Sequence, residues 1–231
     1  MKEKIYLLPG LMTDKRLWKR LYPLLENKYE LVHLDIPLSK DFDEIVKVLN
    51  KDIKEEKASI LGFSLGGYVA SYFAMKYPKK VEKLLLVAAT PSSTNKDHIV
   101  KREKKLKYID EKGFKSLGLE KAISLLEKQN QKDTELAQIL VDMFDDLGKE
   151  VFVTQLASTL HRIKLEDELI KLDIPTTYYY SVEDRLLNHD SIAYSKEQKH
   201  NIDFIKRVGT SHNIPLEDPK GLSEVINRWM A

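Results

Sequence analysis

The chain has 231 residues, 42% of them hydrophobic, which is enough to bury one sizeable core and predicts a single domain. Its net charge of +2, from 38 basic and 36 acidic residues, excludes an overall field that would collect nucleic acid or hold the protein on an anionic membrane. With 0 cysteines, the chain has no disulfide, no thiolate nucleophile and no Cys-based metal site.

The N-terminal residues carry little apolar sequence. Met1 to Lys4 are followed by only four apolar residues, Ile5 to Leu8, which is too short for a signal sequence or a membrane span. We therefore expect a soluble cytoplasmic protein with neither nucleic acid nor membrane as a partner.

Short apolar runs bounded by Gly, Pro or Asp alternate with longer segments of helical periodicity. Strands are predicted at residues 5–8, 31–36, 58–63 and 84–89, and again at 176–181 and 203–208. Helices are predicted at residues 14–26 and 43–54, from Ser64 to just before Pro78, and at 191–199 and 219–229. This alternation predicts an α/β fold with a mostly parallel central sheet of about six strands flanked by helices.

The segment from residue 95 to residue 171 differs from the rest, because charged helices follow one another there without a strand-like run between them. We interpret it as a helical cap inserted into a core made of residues 1–94 and 172–231. The last long helix of this cap has an apolar face at helical spacing, which must pack on another part of the protein. Its members are Val151, Phe152, Leu156, Thr159, Leu160 and Ile163.

One serine lies between two glycines where a predicted strand meets a helix. In the run from Gly62 to Gly66, Ser64 stands two residues from each glycine, which is the G-x-S-x-G pattern of a nucleophile elbow. The alternative is a glycine-rich turn in which Ser64 only caps the helix. A random chain of this composition would contain about 0.02 such motifs, so the pattern favours Ser64 as a nucleophile.

A serine nucleophile needs a base, and position in the predicted fold selects one histidine. His212 alone follows the final strand through a short polar loop, at the sheet edge where Ser64 is expected. His33 falls inside a strand, and His98 and His161 belong to the insertion, where either is expected at most to line a pocket. The remaining two, His189 and His200, bracket a polar helix and are expected to be solvated.

The carboxylate that orients the base should follow a neighbouring strand. Asp184 comes just after the strand at 176–181, with Glu183 and Asp190 as rivals. The resulting chain order of Ser, Asp and His is the order found on α/β hydrolases. For the oxyanion hole, the backbone N–H groups of Leu65 and Leu11 are the candidates, with Met12 as a neighbouring alternative to Leu11.

Taken together, these motifs resemble the α/β-hydrolase superfamily, and specifically its serine carboxylesterases with a helical cap. The resemblance is carried by residues 62–67, 181–184 and 209–212, the last followed by Glu217-Asp218-Pro219. The run from Leu7 to Leu11 is similar to the oxyanion-loop motif of these proteins, with Pro9 at the position where many members have His.

The resemblance implies hydrolysis of a small-molecule carboxylic ester or thioester through an acyl-enzyme, with no metal and no organic cofactor. The alternatives are a lyase or carbon–carbon bond hydrolase that uses the same three residues, and a ligand sensor without turnover. Five of the seven residues from Lys101 to Lys107 are basic, so an acyl-carrier protein is a further possible partner. A solvated helix face is the other interpretation of this charge run.

Overall fold

The computed structural model describes residues 2–198 and 202–231 and contains a six-stranded sheet with helices on both faces. Neighbouring strands are parallel and follow the order β2-β1-β3-β4-β5-β6. The strands are β1 (Glu3–Leu8), β2 (Tyr29–His33), β3 (Ala58–Phe63), β4 (Val81–Val87), β5 (Thr176–Ser181) and β6 (Ile202–Arg207). The predicted fold class is therefore confirmed.

Helices connect the parallel strands, which need crossovers and not tight hairpins. In the core they are α1 (Tyr22–Leu25), α2 (Phe42–Asp52), α3 (Leu65–Lys76), α8 (His189–Glu197), α9 (Ile214–Glu217) and α10 (Pro219–Met230). Between β4 and β5 they are α4 (Lys96–Lys112), α5 (Leu119–Ser124), α6 (Thr134–Ser158) and α7 (Glu166–Lys171).

The sheet separates two hydrophobic layers, because successive side chains of a strand point to opposite faces. Leu7 and Leu61 belong to the layer that includes the apolar side chains of α1 and α10. Ile60 and Leu84 belong to the layer that includes those of α2 and α3. The six residues of β3 are all buried, which explains why this strand is a continuous apolar run in the sequence.

The helices between β4 and β5 pack on the loop that follows β1. Met12 of that loop forms a buried cluster with Ile109 of α4 and with Phe152 and Leu156 of α6. Helix α6 is interrupted at Gly148, where φ is 69°, a left-handed conformation that glycine adopts without steric cost. The interruption divides α6 into two helical pieces with different directions.

The helix predicted over residues 14–26 is not continuous. The chain forms a single 3-10 turn at Lys15–Trp18, capped by the side chain of Asp14, and then the four residues of α1. Pro23 explains the difference, because proline has no backbone N–H and its ring clashes with the carbonyl four residues earlier in a helix interior. It fits only in the first turn of a new helix, where it stands in α1.

The apolar face predicted for residues 151–163 is buried only in part. Phe152 and Leu156 are buried, whereas the side chain of Ile163 is 51% exposed. Helix α6 ends at Ser158, a 3-10 turn follows at Thr159–His161, and Arg162 then has extended dihedral angles. Residue 163 therefore does not continue the helical face.

Strands β3 and β5 have the predicted boundaries, and most of the other boundaries differ from the predictions by a few residues. The prediction of a helix over 191–199 corresponds to α8, while Lys199 itself and His200 lie outside the described residues. Over the described ranges, no helix combines the length and the apolar character needed to cross a bilayer.

Candidate active site

The carboxyl ends of the parallel strands lie at one edge of the sheet, and the loops that follow them carry the predicted site residues. Ser64 follows β3, Asp184 follows β5 and His212 follows β6. Because the strands share one direction, these loops open on the same side of the molecule. The structure brings the three side chains together there.

Ser64 stands in a strained turn between β3 and α3, with φ at 51° and ψ at −114°. A positive φ is uncommon for a residue with a Cβ atom, and in an elbow of this kind it exposes the serine hydroxyl above the sheet. Both motif glycines are required by close packing. A Cβ on Gly62 would lie 2.4 Å from the carbonyl oxygen of Gly66, and a Cβ on Gly66 would lie 2.3 Å from the carbonyl oxygen of Pro9.

His212 connects the serine to the carboxylate. Its Nε2 lies 2.9 Å from Ser64 Oγ, and its Nδ1 lies 2.7 Å from Asp184 Oδ2. When the Nδ1–H donates to the carboxylate, Nε2 is left as an acceptor for the serine hydroxyl. The ring of Phe63 packs beside the imidazole, with 5.3 Å between ring centroids. The arrangement can therefore pass a proton from the hydroxyl to the imidazole.

Asp184 is held by the protein on both of its carboxylate oxygens. While Oδ2 contacts His212, Oδ1 accepts the N–H of Leu186 at 2.9 Å. The side chain of Asp184 is 1% exposed, against 16% for His212. The rival carboxylates Glu183 and Asp190 are exposed. Of the three, Asp184 is the one that the structure places against the imidazole.

None of the other described histidines is a member of this side-chain hydrogen-bond chain. His33 contacts the indole of Trp18 and the carboxylate of Asp35. His189 is exposed and its Nε2–H donates to the backbone carbonyl of Asp184 at 2.8 Å. His98 lines the cavity in front of Ser64, as the sequence allowed, and His161 is exposed.

The two predicted oxyanion donors border the same cavity as Ser64, and Leu65 is the first residue of α3. Within the described part of the chain, neither Leu11 nor Leu65 donates its N–H to a protein acceptor. The N–H of Met12 donates to Gln155 Oε1 of α6 at 2.9 Å, so this alternative to Leu11 is already engaged. The hydroxyl of Thr13 accepts the N–H of Gly10 at 2.7 Å and fixes the start of the loop.

Glu127, from the segment between α5 and α6, holds the loop that carries His212. Its carboxylate accepts the N–H groups of Thr210 and Ser211 at 2.6 and 2.8 Å. It also accepts hydrogen bonds from both terminal nitrogens of Arg207, at 3.0 and 2.9 Å. The loop leaves no room for a side chain at Gly209, where φ is 120° and a Cβ would lie 2.1 Å from Glu127 Oε1.

This carboxylate is buried and ionised. Glu127 is 5% exposed, and burial acts to raise the pKa of its carboxyl group. The hydrogen bonds from Arg207 and from the N–H of Ser211 outweigh burial and hold the pKa of Glu127 below its usual value of 4.5. The loop with His212 is therefore fixed to a charged group that comes from outside the core strands.

The cavity in front of Ser64 has a volume of about 610 Å³. Most of its walls are apolar, and many of them come from the helices between β4 and β5. The apolar side chains from this part are Leu117, Leu125, Leu140, Phe144 and Leu156. The cationic side chains that line this cavity are Lys101, Arg102 and Arg162.

A family model described as the alpha/beta hydrolase fold matches residues 5–112, a stretch that includes Ser64. Solved structures match over the whole chain. A carboxylesterase of Nitrososphaera gargenis has a TM-score of 0.83 at 15% identity and covers 99% of this chain and 90% of its own. An enol-lactonase of Burkholderia xenovorans has a TM-score of 0.84 at 14% identity, with 100% and 92% covered. The chain has the α/β-hydrolase fold, which its motifs implied.

Curated relatives match over a shorter stretch. The biotin biosynthesis bifunctional protein BioHC of Teredinibacter turnerae is 31% identical over 102 residues, which is 39% of this chain and 18% of that protein. The pimeloyl-[acyl-carrier protein] methyl ester esterase of Photobacterium profundum is 33% identical over 94 residues, which is 38% of this chain and 37% of that protein. In both comparisons the match spans less than half of the relative.

Sequence reasoning missed Glu127, Gln155 and the paired position of Arg102 and Arg162. Glu127 lies 83 residues from Thr210 in sequence, and Gln155 lies 143 residues from Met12. Neither stands in a local motif, so no pattern in the chain marks them. The catalytic roles of Ser64, Asp184 and His212 and the donor roles of Leu11 and Leu65 stay predictions.

Proposed function

We propose that the protein is a serine hydrolase that cleaves a carboxylic ester, or a thioester, of a small to medium and partly apolar substrate. The single observation that carries this proposal is the continuous hydrogen-bond chain from Ser64 through His212 to Asp184, which opens into an apolar cavity. The names of the esterase relatives support an ester over other acyl substrates.

In the first half of the proposed reaction, Ser64 Oγ attacks the substrate carbonyl carbon. Nε2 of His212 takes the hydroxyl proton, and Asp184 stabilises the imidazolium that forms. The carbonyl oxygen gains negative charge and is bound by the N–H groups of Leu65 and Leu11. The bond to the alcohol or thiol then breaks, and the imidazolium gives its proton to the leaving group.

In the second half, water hydrolyses the acyl-enzyme. His212 takes a proton from the water, whose oxygen attacks the acyl carbon, and the proton then returns to Ser64 as the carboxylic acid leaves. Each half uses the same oxyanion donors. Apart from the substrate and this water, neither half requires a further reactant, a metal ion or an organic cofactor.

The helices of residues 95–171 act as a cap in this proposal. They supply much of the apolar wall that would surround the acyl or alkyl group and exclude bulk water. They also supply Glu127, which holds the loop of His212, and Gln155, which holds the loop of Leu11. The cap would therefore position the catalytic loops as well as cover them.

A fluorophosphonate probe and a series of p-nitrophenyl esters of increasing acyl length test the proposal. The wild-type protein should be labelled at Ser64 and should hydrolyse at least the shorter esters. The Ser64→Ala variant should lose the label and lose about 10⁴- to 10⁶-fold in kcat. The matched control is Ser223→Ala on α10, which borders neither the cavity nor the hydrogen-bond chain.

Full ester turnover by a folded Ser64→Ala protein would refute the nucleophile assignment. Labelling of the wild type without turnover of any ester would instead support a lyase, a carbon–carbon bond hydrolase or a ligand sensor built on the same three residues. Circular dichroism of each variant verifies that the fold is kept.

A carrier-bound acyl ester is a more specific candidate substrate. The Photobacterium profundum relative is named for an ester on an acyl-carrier protein, and such carriers are acidic partners for a basic surface. Lys101, Lys104 and Lys105 lie exposed on α4. Changing Lys104 and Lys105 to glutamate should lower kcat/KM for an acyl-carrier-protein ester and leave hydrolysis of the p-nitrophenyl ester unchanged. Lys101 is kept in this test because it also lines the cavity in front of Ser64. Equal activity on the carrier ester would rule out this docking surface.

A further inference from the structure

Two arginines lie where the cavity in front of Ser64 meets a second cavity. Arg102 of α4 and Arg162, which follows α6, border both the cavity of about 610 Å³ and its neighbour of about 310 Å³. His98 borders both as well. The first cavity has no acidic side chain among its described lining residues, and the second has only Asp190.

The other half-buried arginines of the protein are paired with carboxylates. Arg16 contacts Asp14 and Asp146, and Arg207 contacts Glu127 and Asp218. Arg20 likewise contacts Asp133. In the described part of the chain, Arg102 and Arg162 have no such partner, and the positive charge of Arg102 acts to lower the pKa of Arg162.

Arg162 is held in place without using its hydrogen-bond donors. Its guanidinium lies over the ring of Tyr68, 4.5 Å from the centroid. The hydroxyl of Tyr68 accepts the N–H of Ile163 at 2.8 Å and donates to the carbonyl of Ile163 at 3.1 Å. The Nε of Arg162 is buried and has no acceptor among the described residues. A buried donor of this kind costs free energy unless an acceptor is supplied.

Most N–H donors of Arg102 are likewise not used in hydrogen bonds to the described residues. One terminal nitrogen donates to the hydroxyl of Thr94 at 3.0 Å. Burial lowers the pKa of Arg162 to about 10, with a smaller contribution from Arg102, and burial also lowers the pKa of Arg102. Arg162 is still cationic at neutral pH. Beside the exposed Lys101, the cavity wall therefore carries the positive charges of Arg102 and Arg162, which no carboxylate among the described residues balances.

We infer that Arg102 and Arg162 form a subsite for an anionic oxygen group, a carboxylate or a phosphate, that the substrate carries away from its ester bond. Guanidinium groups match both oxyanions with paired N–H donors. The cavity that holds both this subsite and Ser64 is lined mostly by apolar side chains, which suits a hydrocarbon spacer. The inference rests on the proposed function for the position of the ester, and it narrows the substrate class to esters with a free acid.

Binding to the Ser64→Ala variant tests the subsite without turnover. Calorimetry would compare monomethyl adipate with uncharged dimethyl adipate, and with a methyl ester of equal length that ends in phosphate. One of the two anions should bind about 10- to 100-fold more tightly than dimethyl adipate, as expected for hydrogen bonds to a charged group. The anion that binds more tightly shows whether the subsite prefers a carboxylate or a phosphate.

Arginine variants in the same background assign the effect to the two side chains. Ser64→Ala/Arg162→Gln and Ser64→Ala/Arg102→Gln should each lose most of the preference for the anion over dimethyl adipate. The matched control is Ser64→Ala/Arg228→Gln, whose arginine on α10 borders neither cavity. Equal affinity for charged and neutral esters, or a preference that survives loss of both arginines, would overturn the inference.

A turnover measurement separates this inference from the proposed function. In the otherwise wild-type protein, Arg162→Gln should lower the ratio of kcat/KM for a carboxylate-ended over a neutral p-nitrophenyl ester by about 10-fold or more. Arg228→Gln, which lies outside both cavities, should leave this ratio unchanged. If the protein hydrolyses neutral esters and shows no preference for the acid, the proposed hydrolase function stands and the anion subsite is refuted. If the protein binds the anion but hydrolyses no ester, the anion subsite stands and the proposed hydrolase function is refuted.

Discussion

His212 can serve as a base only in one tautomer, and Asp184 selects it. The 2.7 Å contact to Nδ1 keeps the proton there and leaves Nε2 free to accept from Ser64. Asp184→Asn keeps the size of the side chain but removes the charge and allows the other tautomer. We predict a loss of about 10⁴-fold in kcat, measured with p-nitrophenyl acetate.

The neighbouring acids provide matched controls for Asp184. Asp190→Asn and Glu183→Gln change exposed carboxylates within a few residues of it and should leave kcat unchanged. If either control variant lost as much activity as Asp184→Asn, the orienting role would belong to another carboxylate.

At the scale of elements, the connection between β6 and α9 depends on Glu127. Removing its charge leaves Arg207 buried without one of its two carboxylates and weakens the bonds to Thr210 and Ser211. We predict that Glu127→Gln lowers the free energy of unfolding by about 3 kcal/mol and also lowers kcat. Urea unfolding and ester hydrolysis measure the two effects.

The matched control is an exposed ion pair of the same insertion. Glu168→Gln removes a carboxylate that contacts Lys171 at 3.1 Å with both side chains largely exposed. Such pairs contribute little, so no measurable change in stability or kcat is expected. A Glu127→Gln protein as stable and as active as this control would show that the His212 loop is fixed by other contacts.

The junction of β3 and α3 has a second requirement, at Gly66. An alanine there would place its Cβ 2.3 Å from the carbonyl oxygen of Pro9, so the loop after β1 must move. We predict that Gly66→Ala lowers the free energy of unfolding by about 1–3 kcal/mol. It should also lower kcat, because the N–H of Leu11 is displaced. Urea unfolding and hydrolysis of p-nitrophenyl acetate measure these changes.

Gly118→Ala is the control for this substitution. Gly118 has φ at −61° at the start of α5, and a Cβ there would meet nothing within 4 Å. The free energy of unfolding of the Gly118→Ala variant should differ from that of the wild type by less than about 1 kcal/mol in either direction. Wild-type kcat in a folded Gly66→Ala protein would argue against Leu11 as an oxyanion donor.

For the whole molecule, acid should be destabilising because several carboxylates are more acidic in the folded state. Hydrogen bonds from Lys4 and Tyr6 lower the pKa of Glu55 to about 2, and the pKa of Glu127 also lies below 4.5. A lowered folded pKa adds stability above the unfolded value, and this stability is lost as pH falls through the folded value. We predict a urea midpoint that falls progressively below pH 4.5 or so.

Glu127→Gln tests this origin of the acid effect. The variant should start from lower stability at neutral pH and lose less on acidification, because one of the contributing carboxylates is absent. A wild-type midpoint that stays constant from pH 5 down to about pH 3 would contradict the linkage.

Much of the fold could be predicted because its signals are local. Strands β3 and β5 agree with their predictions residue for residue, since each is a short β-prone run bounded by turn residues or a helix start. Ser64 was marked by its two glycines, and His212 by its place after the last strand. The helix over residues 14–26 was wrong in form, because Pro23 overrode the spacing of the leucines.

The features that could not be predicted arise from contacts between distant parts of the chain. In sequence, Glu127 is one of many charged residues in the insertion, and only folding places it against Thr210 and Ser211. Arg102 and Arg162 are likewise 60 residues apart and come together only when α4 and the end of α6 pack on the same cavity. Periodicity within a window cannot report such pairs.

The bond between Glu127 and the loop after β6 also bears on recombination with related proteins. A chimera that received a foreign set of helices between β4 and β5 would keep its own β6 loop but lose the carboxylate that accepts the N–H groups of Thr210 and Ser211. Successful exchange would require the donor helices and the loop at residues 207–211 to be transplanted as one unit. Shuffling libraries built on this protein should therefore place no crossover that separates the two.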